Sequence, residues 1–240
     1  MKVTLISHTP DAAELLIFTK STRLNLTSGL LDEIKAWHPA KKEKELAYMA
    51  ETIPSSWEFV DYVFSIEAVS RAYTHQQVRT RAGSYAQQTM RVLNMSDFDY
   101  VMSERIVKTP TAKWLVNCAL GTIREVYAQL IKAGVPPEDA RGILPTNIAT
   151  NIVCKFNLRT MAELAASRTG GRTQGEYQTV VRAMCDAVIA IHPWAALFLF
   201  QKGRDYFAEL EEFAAEEWPD DLLKRGVLLK IVDKMRKERK

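Results

Sequence analysis

The stretch EFVDYVFSIEAVS, residues 58–70, constrains the fold more than any other part of the chain. Val60, Tyr62, Phe64 and Ile66 fall on one side of an extended segment, and Asp61, Val63, Ser65 and Glu67 fall on the other. Side chains alternate across a strand, so this pattern predicts a β-strand with one face buried. Ser70 ends it and can accept a hydrogen bond from the first turn of a helix over Arg71 to Val78. A strand feeding straight into a helix fixes where the next residues must lie.

The remaining elements follow from periodicity and punctuation. Residues 3–7 predict an opening strand, and 148–156 another. A helix is predicted from Pro10-Asp11 to Lys20 with Asp11 as its cap, and others over 41–50, 137–143 and 176–191. Thr160 is read as the cap of a helix to about Ser167. Residues 24–40 lack a regular pattern, and Pro54-Ser55-Ser56 reads as a turn. The longest helix is predicted over 111–133, where Leu115, Ala119, Ile123, Val126 and Leu130 recur at helical spacing. Together these predict an α+β fold, a single mainly helical domain around a mixed or antiparallel sheet. That domain is expected to span 1–203, with a charged helical extension over 204–240.

Composition narrows the function. The 240 residues carry 32 Lys or Arg against 29 Asp or Glu, a net charge of +3. That balance argues against a protein that coats nucleic acid, and no nucleic-acid partner is expected. No run approaches the roughly 18–20 apolar residues of a membrane span, so a cytoplasmic protein without membrane contact is expected. Cys118, Cys154 and Cys185 form no CxxC pair and are expected to be buried, reduced thiols. The four histidines lack zinc-ligand spacing, and no metal is expected. No P-loop, no GxGxxG after a strand and no GxSxG elbow occurs.

What stands out chemically is VRTRAGSYAQQTMR, residues 78–91. Arg79, Arg81 and Arg91 sit among Gly83, Ser84, Gln87, Gln88 and Thr89, with no acid in the stretch. Arginine's planar fork suits phosphate, and small neighbours let a ligand approach the backbone. Arg141, Arg159, Arg168 and Arg172 follow in polar contexts, the last two around the donor-rich loop TGGRTQG, 169–175. These residues point to a phosphate-bearing ligand and to no particular reaction.

In its wider context, FSIEAVSRAYTHQQVRTRAGSYAQQTMR at 64–91 resembles the signature region of flavin-dependent thymidylate synthases. That family carries Arg-His-Arg, seven residues, then Ser; here Arg79-Thr80-Arg81 is followed by seven residues and Thr89. MKVTLISHTPD, GVPPEDARGILPTN, NLRTM, ASRTGGRTQGEY and HPW match in the same order over roughly 1–200. The resemblance implies a homotetramer with active sites between subunits, binding FAD, dUMP and methylenetetrahydrofolate, with NADPH as reductant. It assigns Gln76, Gln77, Val78, Arg79, Gln87, Gln88, Thr89, Met90, Arg91 and Arg141 to dUMP. Ser55, Arg79, Thr80, Arg81, Gln87, Asn157, Leu158, Arg159 and Glu163 correspond to the FAD contacts. Arg168 matches the residue that steadies the ionised pyrimidine.

The chain also departs from the family at this site. Thr80 replaces the signature His, Ala86 an Asn, Gln87 a common acid, and Thr89 the Ser. Met90 stands where Gly or Gln is common, Phe59 follows Glu58 where a His is usual, and Arg172 replaces a loop His. Three readings follow: a divergent thymidylate synthase; a sister flavoenzyme that modifies a related pyrimidine nucleotide, for example by hydroxymethylating dUMP or dCMP; or a non-catalytic nucleotide-binding relative.

Overall fold

A computed structural model describes residues 1–23, 26–52, 54–169, 173–200 and 206–238. Residues 1–200 form one compact unit and 201–240 a second. The first unit is built on a four-stranded sheet of β1 (Lys2–His8), β2 (Asp61–Ser70), β3 (Ser84–Gln87) and β4 (Ala149–Asn157), in the order β1-β2-β4-β3. Every pairing is antiparallel. The helices are α1 (Ala12–Ser21), α2 (Leu30–Lys35), α3 (Pro39–Ala50), α4 (Arg71–Gln77), α5 (Glu104–Val107), α6 (Pro110–Lys132), α7 (Pro137–Ala140), α8 (Leu158–Arg168), α9 (Gly175–Ile191) and α10 (Ala196–Leu199). The second unit holds α11 (Tyr206–Glu217) and α12 (Leu222–Glu238).

The alternation in β2 has the consequence the pattern demands. Tyr62, Phe64 and Ile66 are fully buried, with Val60 just before the strand. From β4, Ile152, Cys154 and Phe156 join them. Tyr177, Val180, Val181, Met184 and Val188 of α9 pack into the same core. Burying each large apolar side chain contributes about 1.5–3 kcal/mol, so this face holds the sheet against its helices. Glu58 and Phe59 fall instead in a 3-10 turn, Pro54–Phe59, which replaces the simple turn expected there. Ser70 caps α4 as anticipated, its Oγ accepting from the Tyr73 amide at 3.0 Å.

Other local readings need correction. Asp11 precedes α1 in the left-handed region (φ 48) and makes no capping hydrogen bond with its side chain. The cap of α8 is Asn157, whose side chain accepts from the Thr160 amide at 2.8 Å. Thr160 itself is buried in the first turn, because both residues fit the cap pattern and β4 delivers Asn157 to that position. In 24–40 a short helix, α2, forms, and Pro39 begins α3, which its fixed φ favours. Residues 84–87 are a strand rather than loop. Tyr85 alone among Ser84, Tyr85, Ala86 and Gln87 favours a strand, so the local signal is weak, and pairing of Ser84 to Lys155 through Gln87 to Ile152 overrides it.

The stripe predicted for α6 lies partly on the wrong face. Leu120 and Tyr127 are the buried positions, with Val116 and Ile123 packed toward a second cluster of Phe98 and Ile148. Leu115 and Val126 are exposed, as is Trp114. Two adjacent rows of this helix both satisfy helical spacing, and spacing alone does not rank them. Cys118 lies on the open side, so only Cys154 and Cys185 are buried thiols. Burial pushes both of these up to about 12.

Candidate active site

The two ends of β3 carry two different groups of side chains. The strand is joined to α4 by the loop 78–83, which ends against Phe156 near the C-terminal end of β4. An added Cβ on Gly83 would lie 2.4 Å from Phe156 Cε1 and 2.6 Å from the Tyr85 hydroxyl. The backbone here therefore runs where only glycine fits. Tyr85 ties the loop down through its hydroxyl, whose single proton is shared between the carbonyls of Gln77 (2.9 Å) and Thr80 (2.7 Å). This leaves Arg79 and Arg81 exposed, and among the described residues neither is paired with an acid.

Beneath the loop lies a buried polar knot. Tyr73 donates to Gln77 Oε1 at 3.3 Å and meets Tyr177 edge-on at 5.3 Å. Gln77 Nε2, the Tyr177 hydroxyl and Arg168 Nε are all buried without a hydrogen-bond partner. The guanidinium carbon of Arg168 lies 5.2 Å from the centre of the Tyr177 ring, a cation–π arrangement. Burial raises the Tyr177 phenol above its ordinary pKa, while Thr80 and Arg168 beside it pull the other way. Leaving several donors unsatisfied in one place costs stability, and such a cost fits a place where a ligand supplies the partners.

At the far end of β3 three arginines converge. Arg91 Nε donates to Glu138 Oε2 at 2.8 Å, and Arg141 Nε donates to the Glu138 carbonyl at 3.0 Å. Arg71 donates to the Gln88 carbonyl at 2.8 Å, and its Nε is buried with no partner. Burial, and then repulsion from Arg141, lower the Arg71 pKa. Gln88 is fixed to β4 by its amide on the Asn151 carbonyl (3.0 Å) and by Asn151 Nδ2 on its Oε1 (3.1 Å). Thr89 Oγ1 accepts from the Arg91 amide at 3.0 Å. Met90 packs toward the cluster of Phe98, Leu120 and Ile148.

The predicted site residues divide accordingly. Gln87 to Arg91 and Arg141 gather at one end of β3, and Gln77 to Arg81 at the other. Gln76 bonds Gln174, just before α9, and Val78 is exposed as the C-cap of α4. Gln87 donates to Thr74 Oγ1 at 2.8 Å, so its amide serves the fold. The Asn157 side chain caps α8, and Leu158 is buried in the core. Arg159 pairs with Glu58 (2.7 Å) and Glu163 (3.2 Å) beside Ser55, which accepts from Arg23. Gly170, Gly171 and Arg172 of the donor-rich loop lie outside the described residues. Among the described residues no group of His, Cys, Asp and Glu could hold a metal, and no helix is long and apolar enough to cross a membrane.

Sequence reasoning missed Arg71 and Glu176. Glu176 accepts from both the amide (2.7 Å) and the hydroxyl of Ser70, locking the start of α9 to the start of α4. No acid lies within 78–91, and the partner of Arg91, Glu138, is 47 residues away along the chain, beyond the reach of any local pattern. Arg71 carried no sign beyond its place after Ser70.

Comparison with known proteins bears on this arrangement. The sequence profile of the family described as thymidylate synthase complementing protein matches residues 4–194. The flavin-dependent thymidylate synthase of Nitratidesulfovibrio vulgaris is 31% identical over 204 residues, covering 79% of this chain and 81% of the relative. This chain belongs to the flavin-dependent thymidylate synthase family. The enzyme of that name from Sulfurisphaera tokodaii is likewise 31% identical over 201 residues, covering 80% of this chain and 75% of the relative. In fold, the chain is similar to the flavin-dependent thymidylate synthase of Helicobacter pylori solved with FAD and dUMP. The TM-score is 0.66 at 16% identity, over 84% of this chain and 98% of the other. A UMP/dUMP methylase from Streptomyces cacaoi, bound with 5-Br dUMP, superposes with a TM-score of 0.70 at 17% identity, over 82% and 94%. The family profile ends before α10, so α11 and α12 lie outside it.

Proposed function

We propose that this chain is a flavin-dependent enzyme that transfers a one-carbon group from methylenetetrahydrofolate to carbon 5 of dUMP, forming dTMP. FAD is its cofactor and NADPH the reductant. The observation that carries the reading is the pair of basic clusters at the ends of β3, in a chain of this family. Arg71, Arg91 and Arg141 suit the dianionic phosphate of a nucleotide. Arg91 must exchange Glu138 for that phosphate, and an exposed pair of this kind holds by only about 0–1 kcal/mol. Arg71 offers its orphaned Nε as a further donor.

Arg79 and Arg81 form a donor set that fits the diphosphate of FAD. The flavin, when bound, supplies the hydride that completes the methyl group. Arg168 provides a cation that favours the electron-rich form of the pyrimidine and cannot lose its own proton. No cysteine nucleophile is needed, which agrees with buried thiols held protonated at Cys154 and Cys185. The open row of Trp114, Leu115 and Val126 on α6 suits self-association into a homotetramer with sites shared between subunits. Three free cysteines suit a cytoplasmic setting.

One observation favours a second reading, a related pyrimidine nucleotide or a different one-carbon product. Gln87, where the family has an acid, turns its amide to Thr74, and Thr80 offers a hydroxyl where an imidazole is usual. The test is product analysis by mass spectrometry, with FAD-loaded protein given methylenetetrahydrofolate, NADPH and either dUMP or dCMP. Methylated dUMP is expected. A hydroxymethylated product, or turnover of dCMP alone, selects the second reading, and no product from either nucleotide refutes both. Arg168→Ala should lower turnover by about 10²–10³-fold, as loss of a charge-stabilising donor does elsewhere; unaltered turnover removes Arg168 from this role.

A further inference from the structure

The second unit, beyond the family profile, has a surface the proposed reaction does not use. The helices α11 and α12 are joined by the turn 218–221 and bury Ala214 and Val232. The two helices are unlike in charge. The segment of α11 carries five glutamates and no basic residue, whereas that of α12 carries six Lys or Arg against two acids. On α11, Leu210 and Phe213 are exposed among Glu212, Glu216 and Glu217. On α12, Leu223, Val227, Ile231 and Met235 form an exposed row at a spacing of four, flanked by Lys224, Lys230 and Lys234. Each helix therefore presents an apolar row bordered by a single sign of charge.

We propose that this hairpin is a self-association surface whose partner is the hairpin of a second copy, α11 of each copy lying on α12 of the other. A two-fold axis makes each contact twice, so one acidic and one basic helix per copy satisfy both faces at once. Pairing of α12 with α12 is disfavoured, since it would set lysines against lysines. The apolar rows supply the attraction and the charges set which helix meets which, as flanking charges do in coiled coils.

Sedimentation velocity of the full chain over a range of concentrations gives the dissociation midpoint of its assembly. Two variants reverse one helix each: Glu212→Lys with Glu216→Lys and Glu217→Lys, and Lys224→Glu with Lys230→Glu and Lys234→Glu. Each alone should raise the midpoint about tenfold or more, the scale expected when several charge pairs turn repulsive. An equimolar mixture, in which α11 of one again opposes α12 of the other in sign, should recover association. Circular dichroism checks that each variant keeps its helix. Should either fail to fold, Val227→Asn with Ile231→Asn on the exposed row replaces it, with the same rise expected. Unmutated protein should also dissociate more readily in 0.5 M than in 0.05 M salt, roughly in line with screening of exposed charges. Midpoints that are equal for all variants overturn the proposal. So does a mixture no tighter than either variant, or variants whose only change is weaker binding to a duplex DNA probe, which would make α12 a nucleic-acid surface.

Discussion

Gly83→Ala is the sharpest test of how the fold aims the site. The new methyl group would lie 2.4 Å from Phe156 Cε1, 2.9 Å from Phe156 Cδ1 and 2.6 Å from the Tyr85 hydroxyl. All are inside contact distance, so something must move. Phe156 is fully buried and packed against the sheet, and it cannot retreat without opening the core. The compliant element is the loop 78–83 with the Tyr85 hydroxyl that pins it. Overpacking of this kind costs about 1–3 kcal/mol. Losing either Tyr85 hydrogen bond, to the Gln77 or the Thr80 carbonyl, adds about 0.5–1.5 kcal/mol. The sum, roughly 1.5–4.5 kcal/mol, is a large part of a domain's net stability. Urea denaturation should show a lower midpoint at unchanged slope. At concentrations where the variant is still folded, FAD affinity should also fall, because Arg79 and Arg81 ride on the displaced loop. A variant as stable as the parent with undiminished FAD affinity would mean that the loop is not held by this contact.

Further outcomes follow from the same geometry. Tyr177→Leu removes the ring beneath Arg168 and should lower kcat more than it raises KM for dUMP, while Tyr177→Phe keeps the ring and most of the activity. In a cycle with Arg168→Ala the two losses should be strongly non-additive; additive losses would show that Tyr177 does not act through Arg168. Ala68 sits at φ 54 in a bulge of β2, so Ala68→Gly should relieve strain of about 1 kcal/mol and raise Tm by about 2–4 °C; an unchanged or lower Tm argues against strain there. Burial, and then the neighbouring His8, hold the His192 imidazole below its ordinary pKa of 6.5, and Tyr62 meets its Nδ1 at 3.1 Å. The unfolded chain then binds this proton more readily, so stability should fall as pH drops below about 6.5 toward the lower folded value. His192→Gln, which can still bond Tyr62, should flatten that slope in a pH series of denaturation curves, and an unchanged slope would assign it to other groups.

Much of the fold could be read along the chain because the signals are local. The inward row of β2, the Ser70 cap and the stop at His192-Pro193 each need only a few neighbouring residues. What escaped the sequence depends on distant partners. The strand at 84–87 exists because β4 offers an edge to pair with. The buried row of α6 was chosen by Phe98 and Ile148, not by spacing. At the site, the arginines of 78–91 stood out through composition, and the family resemblance supplied their grouping. Arg71, Glu176 and the tie of Arg91 to Glu138 come from helices and turns that meet only in three dimensions.

The central claim is that β3 holds a nucleotide phosphate at one end and a flavin at the other. Its most direct measurement is the visible absorption spectrum of purified protein, loaded with FAD, desalted and titrated with dUMP. The account predicts a retained flavin band that shifts saturably with dUMP, and a shift that needs at least ten times more dUMP when Arg71 or Arg141 is replaced by Ala. A protein that cannot retain FAD, or a flavin band indifferent to dUMP, would contradict it.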